Sequence, residues 1–107
     1  MKPIDISPKD LDSVQAILRK YVPEYEVRAF GSRVRWTAQK TSDLDLAIMT
    51  HAPLTAMRMA DLKEAFSESD LPFKVDVLDW AATKDSFRQI IRQDYVVIQR
   101  ENGEDIK

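Results

Sequence analysis

Apolar residues along this chain recur at two kinds of spacing, one helical and one alternating. The helical spacing predicts a first helix capped by Ser7 and ended by Pro23, and a second from Thr55 to about Ser67. A third helix is predicted over residues 83–93, with a buried stripe formed by Phe87, Ile90 and Ile91. A short helix is also expected from Ser32 to about Ala38.

The remaining apolar stretches are shorter and predict four strands, at residues 25–30, 43–49, 73–80 and 95–99. The second strand becomes apolar on both faces, as is typical of a central strand. Strands that alternate with helices indicate an α/β or α+β fold, with helices packed on a mixed sheet of about four strands. We expect a single domain over residues 1–107, with a frayed polar tail at about 100–107.

Composition narrows the classes of protein to consider. The chain has no Cys, which excludes disulfides and thiolate metal sites and fits a reducing compartment. It has 16 basic and 18 acidic residues, and this balance argues against direct nucleic-acid binding. No signal peptide and no membrane-spanning apolar run is present, so a cytoplasmic location is expected.

Three aspartates stand beside otherwise apolar strands. Asp43 and Asp45 begin the second strand and share a face, roughly 7 Å apart, and Asp76 lies early in the third. Like charges about 5 Å apart repel by roughly 3 kcal/mol at an effective dielectric of 20. The carboxylates could therefore protonate, spread into solvent or bind a cation, and Mg²⁺ suits an all-oxygen site. A D-x-D at a strand start is often only a solvated turn, and Asp79 is interpreted as a cap or surface acid.

A Gly-Ser pair precedes these acids. Gly31 is one of only two glycines and ends the first strand, where a missing side chain lets an anion approach the backbone. Ser32 opens the short helix, whose first N–H groups favour phosphate. If the first three strands are neighbours, a phosphate seat and three carboxylates meet, which is the arrangement that phosphoryl or nucleotidyl transfer requires.

These motifs together resemble a known family. The segment "FGSRVRW…SDLDLAI", with a later Asp in an apolar strand, is similar to "FGSRARG…SDIDLAV" of the minimal nucleotidyltransferases (MNT), a branch of the DNA polymerase beta-like superfamily. The resemblance covers about residues 25–99. It implies that Gly31 and Ser32 hold the triphosphate of ATP, and that Asp43, Asp45 and Asp76 are catalytic and bind Mg²⁺, with two ions expected.

The resemblance also raises two questions about single residues. Arg33 matches the first Arg of the family motif and is a candidate for phosphate contact, although a surface role or a pairing with a carboxylate is equally open. Trp36 stands where the branch carries Gly. Because Trp adopts a left-handed conformation poorly, we expect a changed turn and a changed pocket shape at this position.

The resemblance further implies a partner. MNT chains are typically encoded beside a small helical HEPN protein, and they resemble the antitoxin of a toxin–antitoxin pair that attaches AMP to a tyrosine of the toxin. Two alternatives stay open: an inactive antitoxin that inhibits by occlusion, and a transferase acting on a small molecule. A homodimer or a hetero-oligomer is compatible with the apolar faces of so small a sheet.

Overall fold

The computed structural model describes residues 3–103 and contains all eight predicted helices and strands. In chain order they are α1 (Pro8–Tyr21), β1 (Val27–Phe30), α2 (Ser32–Arg35), β2 (Leu44–Ile48), α3 (Ala56–Ser67), β3 (Val75–Asp79), α4 (Asp85–Gln93) and β4 (Tyr95–Gln99). Two short 3-10 turns follow β3 and β4, at Trp80–Ala82 and Glu101–Gly103. The end of the predicted frayed tail, residues 104–107, lies outside the described residues.

The sheet brings all the predicted site residues to one end. Its strand order is β3-β2-β1-β4, with β2 and β3 parallel and β1 antiparallel to both β2 and β4. The carboxyl end of β1 therefore lies beside the amino ends of β2, β3 and β4. We call this the acidic end of the sheet, because Asp45 and Asp76 lie there. The mixed four-stranded sheet of the sequence prediction is confirmed.

The two longest helices begin at the side chains that the sequence indicated. The Ser7 hydroxyl accepts a hydrogen bond from the Asp10 N–H at 3.2 Å and caps α1. The Thr55 hydroxyl accepts from the Arg58 N–H, also at 3.2 Å, and caps α3. Each bond satisfies one of the N–H groups that a helix start leaves without a backbone partner. Within residues 3–103, no helix is long and apolar enough to cross a membrane.

The two faces of the sheet are covered unequally. On one face, α1 and α3 bury a large cluster that includes Leu18, Leu46 and Leu62, and the amino-terminal Ile4 and Ile6 join it. On the other face, α4 covers a small cluster whose fully or nearly buried members are Phe30, Ala47 and Ile91. The central strand β2 has apolar residues on both faces, as predicted.

The predicted buried stripe of α4 is wrong in two of its three positions. Ile91 is fully buried, but Phe87 is 40% exposed and Ile90 is 51% exposed. A single nine-residue helix lies over the small second cluster, which offers room for only one fully buried side chain from it. Phe87 instead meets the ring of Phe30 edge-on at 5.9 Å, and Ile90 faces outward.

Helix α2 is shorter than predicted, because it ends at Arg35 rather than near Ala38. Trp36 ends it in the left-handed conformation, with φ 59° and ψ 34°, and the Thr37 N–H bonds to the Ser32 carbonyl at 3.0 Å. The expectation that Trp36 would avoid this conformation is therefore wrong. A left-handed non-glycine residue costs about 1–2 kcal/mol, so the surrounding structure holds a locally unfavourable backbone here.

Candidate active site

The three predicted carboxylates lie together at the acidic end of the sheet. Asp45 is the second residue of β2, and its register partners are Asp76 in β3 and Phe30 in β1. Asp43 lies two residues before Asp45, immediately ahead of β2, so the alternation of an extended chain directs both side chains to one side. Asp43 and Asp76 are exposed, whereas Asp45 is half-buried.

The electrostatics of Asp45 reflect this grouping. Burial raises the pKa of the Asp45 carboxyl above its ordinary value, and the negative charges of Asp76 and Asp43 raise it further. The positive charge of Arg35 acts in the opposite direction. Asp43 and Asp76 thus both act on Asp45, and Arg35 is the cation that offsets part of their repulsion there.

The acidic residues fit a magnesium site because they offer oxygen ligands and lie at the same end of the sheet. Carboxylate oxygens are the ligands that Mg²⁺ takes from proteins, usually one or two of them, with water and phosphate oxygens completing its shell. In the part of the chain that the structure describes, however, no three His, Asp or Glu side chains already form a group that could hold a metal ion. Asp43, Asp45 and Asp76 would therefore have to turn toward an ion in order to share it.

Gly31 allows the main chain to pass close to Asp45. Its φ is +83°, a conformation that residues with a side chain rarely adopt. A Cβ on Gly31 would collide with Oδ2 of Asp45 and would lie 3.3 Å from Cγ. Both the backbone conformation and the available space therefore require glycine, and the approach predicted for this residue is used by the Asp45 carboxylate itself.

Helix α2 begins at Ser32, directly after Gly31. The N–H groups of Val34 and Arg35 each bond to the Gly31 carbonyl at 3.1 Å, which closes the first turn of α2 beside the carboxylates. The N–H groups that open a helix have no partner within it, so the Ser32 end of α2 offers donors for an anion. These donors lie at the carboxyl end of β1, next to Asp45.

Arg33 has a structural role in this fold. Its guanidinium is buried and donates to the carbonyl oxygens of Ser42 (2.8 Å and 3.0 Å), Asp5 (2.9 Å) and Lys40 (3.1 Å). It also lies over the ring of Phe73, 4.2 Å from its centroid. Since these contacts occupy the guanidinium, the predicted phosphate contact is not supported, and neither is a surface role or a pairing with a carboxylate.

Sequence reasoning overlooked Arg35, the exposed arginine of α2. It follows Ser32 by three positions, and this spacing places two side chains on the same side of a helix. Its charge acts on Asp45, as described above. The spacing from Ser32 was the signal that could have identified Arg35 instead of Arg33.

Asp79, at the far end of β3, is separate from the acidic group. It accepts hydrogen bonds from the Thr50 hydroxyl, the Leu54 N–H (2.6 Å) and the Ala81 N–H (3.2 Å). It caps the 3-10 turn at Trp80–Ala82. Its interpretation as a cap is confirmed.

Comparison with known proteins adds a family and a close relative. A family model described as "Polymerase beta, Nucleotidyltransferase" matches residues 12–103. The chain is also similar to the "Probable protein adenylyltransferase MntA" of Haemophilus influenzae, with 57% identity over 96 residues. That alignment covers 90% of this chain and 84% of the relative.

Solved structures share the fold at lower identity. A crystal structure of a toxin–antitoxin with AMP-PNP matches with a TM-score of 0.72 and 21% identity, over 84% of this chain and 73% of that one. A structure of the tri-AMPylated Shewanella oneidensis HEPN toxin in complex with its MNT antitoxin matches with a TM-score of 0.66 and 19% identity. It covers 86% of this chain and 71% of the other. At these identities the matches establish the fold alone.

Proposed function

Because this chain belongs to the polymerase beta-type nucleotidyltransferase family, we propose that it is a Mg²⁺-dependent protein adenylyltransferase, which moves AMP from ATP to a hydroxyl group of a partner protein. The observation that carries this proposal is the register of the sheet, which pairs Asp45 with Asp76. Asp43 lies on the same side, Gly31 lies against Asp45, and Ser32 follows Gly31 at the start of α2. This arrangement supports nucleotidyl transfer better than a solvated acidic turn, because a glycine-serine bend lies at the same end of the sheet as Asp45 and the two carboxylates that act on it.

The residues of the site would have different roles, each of which follows from the chemistry of the side chain or backbone. Asp43 and Asp45 would hold Mg²⁺ together with Asp76, and the bound ion would neutralise the phosphate charge and orient the α-phosphate. Gly31 and the first turn of α2 would receive the triphosphate. Arg35 would supply an exposed positive charge on the same side of α2 as Ser32.

The reaction balances without any further reactant. The acceptor oxygen forms a bond to the α-phosphorus of ATP, and the bond from that phosphorus to the bridging oxygen breaks. Pyrophosphate leaves, and Asp76 takes the hydroxyl proton as general base. Asp76 suits this role because it is an exposed carboxylate at the acidic end of the sheet.

We further propose that the acceptor is a tyrosine of a helical HEPN-type toxin, for which this chain is the antitoxin. The proposal is supported by the name of the Haemophilus influenzae relative, a protein adenylyltransferase, which aligns over most of both chains. It is also supported by the shared fold with an antitoxin bound to an AMPylated HEPN toxin. The sequence motif that resembles MNT proteins spans the same residues that form the site.

The test uses the full chain, MgCl2, ATP and the purified HEPN-type product of the neighbouring gene. Intact-mass spectrometry of that product should show the addition of one or more AMP groups. The Asp43→Asn variant should abolish the addition, whereas Asp70→Asn, an exposed acid in the turn after α3, should leave it unchanged. An unmodified partner, with the wild-type chain and nucleotide both intact, would refute the proposed transfer.

The same experiment tests the alternative that the sequence left open, inhibition of the partner by binding alone. A non-catalytic antitoxin predicts a tight complex and an unchanged partner mass in the same experiment. It also predicts that Asp43→Asn still protects against the toxin.

A further inference from the structure

A groove follows the outer edge of the sheet next to the candidate active site. It has a volume of about 520 Å³ and lies between the second half of α3 and strand β3. Its lining consists of Lys63, Ser67, Phe73, Lys74, Val75, Asp76 and Val77. The proposed general base, Asp76, is therefore part of the groove wall.

Strand β3 presents unused backbone groups to this groove. Within residues 3–103 it pairs with β2 only, so its other side is a sheet edge. Leu44 is the register partner of Val75, and its N–H donates to the Lys74 carbonyl at 2.9 Å. In a parallel ladder this pattern turns the N–H and C=O groups of Val75, and of Val77 two residues later, away from β2. The groove thus contains a row of backbone donors and acceptors that suits an added strand.

The side chains of the groove narrow the choice of occupant. Lys63 and Lys74 are exposed and bring two positive charges to its wall, and Val75 with Phe73 supplies apolar surface. A strand added along β3 passes directly beside Asp76. A hydroxyl on such a strand would then lie close to the carboxylate that receives its proton.

We propose that this groove binds an extended segment of the acceptor protein by strand addition to β3, with the modified hydroxyl residue beside Asp76 and acidic residues near Lys63 and Lys74. The proposal rests on the proposed transferase function for the role of Asp76, but binding of the segment can be measured without catalysis. It assigns the acceptor to the class of locally unfolded, acidic, hydroxyl-bearing polypeptide segments.

The first experiment measures binding alone. The full ¹⁵N-labelled chain is titrated with a synthetic nine-residue peptide that has a central Tyr flanked by Asp and Glu, and with a matched peptide flanked by Lys. The acidic peptide should slow amide hydrogen exchange at Val75 and Val77 and bind more tightly than the basic one. Lys63→Glu should reduce or reverse this preference. Unchanged exchange at both valines, with either peptide, would overturn the proposal.

The second experiment measures transfer to the intact acceptor protein. Val75→Pro removes one outward N–H, at an edge position where proline spares the ladder, and Val75→Thr is the matched control that keeps the N–H and a branched side chain. Val75→Pro should raise the KM for the acceptor at least about fivefold, the equivalent of one backbone hydrogen bond, with the KM for ATP unchanged. Val75→Thr should raise the acceptor KM less than Val75→Pro does, because it keeps the N–H, and circular dichroism should show that both variants are folded.

The outcomes separate this inference from the proposed function. Transfer with an unchanged acceptor KM in Val75→Pro would overturn the groove inference and leave the transferase standing. Peptide binding at β3 without any transfer would support the groove and overturn the transferase. Protection of Val75 that increases with the concentration of the chain itself, and not with peptide, would show a second copy at this edge and overturn the proposal.

Discussion

The contact between Gly31 and Asp45 determines the chemistry of the site at the scale of single residues. Because glycine leaves no side chain there, the backbone of β1 can lie against the Asp45 carboxylate and shield part of it from water. Burial and two neighbouring carboxylates then raise the pKa of Asp45. An ionised Asp45 therefore destabilises the chain at neutral pH until a cation joins the site.

We predict that Asp45→Asn stabilises the chain at pH 7 in the absence of divalent ions. A carboxyl with a raised pKa contributes stability that is fully present below its unfolded-state pKa and is lost as the pH rises through its folded-state pKa. The advantage of the variant should therefore shrink as the pH falls to about 4. Thermal unfolding at several pH values measures the difference in Tm between the two proteins.

Magnesium supplies the control for this prediction. MgCl2 should raise the Tm of the wild type at pH 7 and leave the Tm of Asp45→Asn nearly unchanged, because ligand binding stabilises only a chain that binds it. A variant that is less stable than the wild type at pH 7, together with a wild type insensitive to MgCl2, would contradict both the electrostatic argument and the metal site.

At the scale of elements, Arg33 connects three segments that would otherwise be held loosely. Its guanidinium joins α2 to the carbonyls of Lys40 and Ser42 before β2, and to Asp5 in the amino-terminal segment. The Asp5 N–H in turn donates to the Arg33 carbonyl at 2.7 Å. The loop that delivers Asp43 to the site thus depends on one side chain of α2.

We predict that Arg33→Lys lowers the free energy of unfolding by about 2–3 kcal/mol, because an ammonium group cannot reach carbonyls on several sides and leaves some of them without a donor. The matched control is Arg35→Lys in the same short helix. Since Arg35 is exposed, its replacement should change stability by less than about 0.5 kcal/mol. Urea denaturation provides both values, and equal losses in the two variants would contradict the structural role of Arg33.

Elements and caps were predictable from the sequence because their signals are local. Ser7 and Thr55 cap helices through bonds to residues three positions away, and short apolar stretches located each strand. The grouping of Asp45 with Asp76 also followed, once the two strands were taken as neighbours.

The predictions that were wrong concern residues whose surroundings are formed by segments distant in the sequence. The sequence could not show that Arg33 meets carbonyls from three other residues while Arg35 stays exposed, because those partners come from other parts of the chain. The same holds for Trp36, whose left-handed backbone opposes its local preference. The exposure of Ile90 depends on how narrow the second face of the sheet is, which helical periodicity does not encode.

At the scale of the whole molecule, the sheet has one well-covered face and one thinly covered face. The large cluster under α1 and α3 includes residues from β1, β2, β3 and β4, whereas α4 is held through the small cluster around Ile91. Apolar contact area sets how easily a segment opens on its own. Helix α4 should therefore open separately, before the rest of the fold.

We predict that native-state hydrogen exchange detects this opening. Amides of α4 should exchange with an opening free energy at least about 2 kcal/mol below that of amides in β2. Ile91→Ala should lower the opening free energies of α4 and β2 alike, by about 2–5 kcal/mol, because the contacts of Ile91 in the small cluster are lost in both open states. Leu46→Ala is the control in the large cluster: it should lower the opening free energy of β2 and leave that of α4 nearly unchanged, because the contacts of Leu46 persist when α4 alone opens. Equal opening free energies for α4 and β2 in the wild type would mean that the sheet and α4 unfold as one unit. The unequal covering of the two faces of the sheet would then have no energetic consequence.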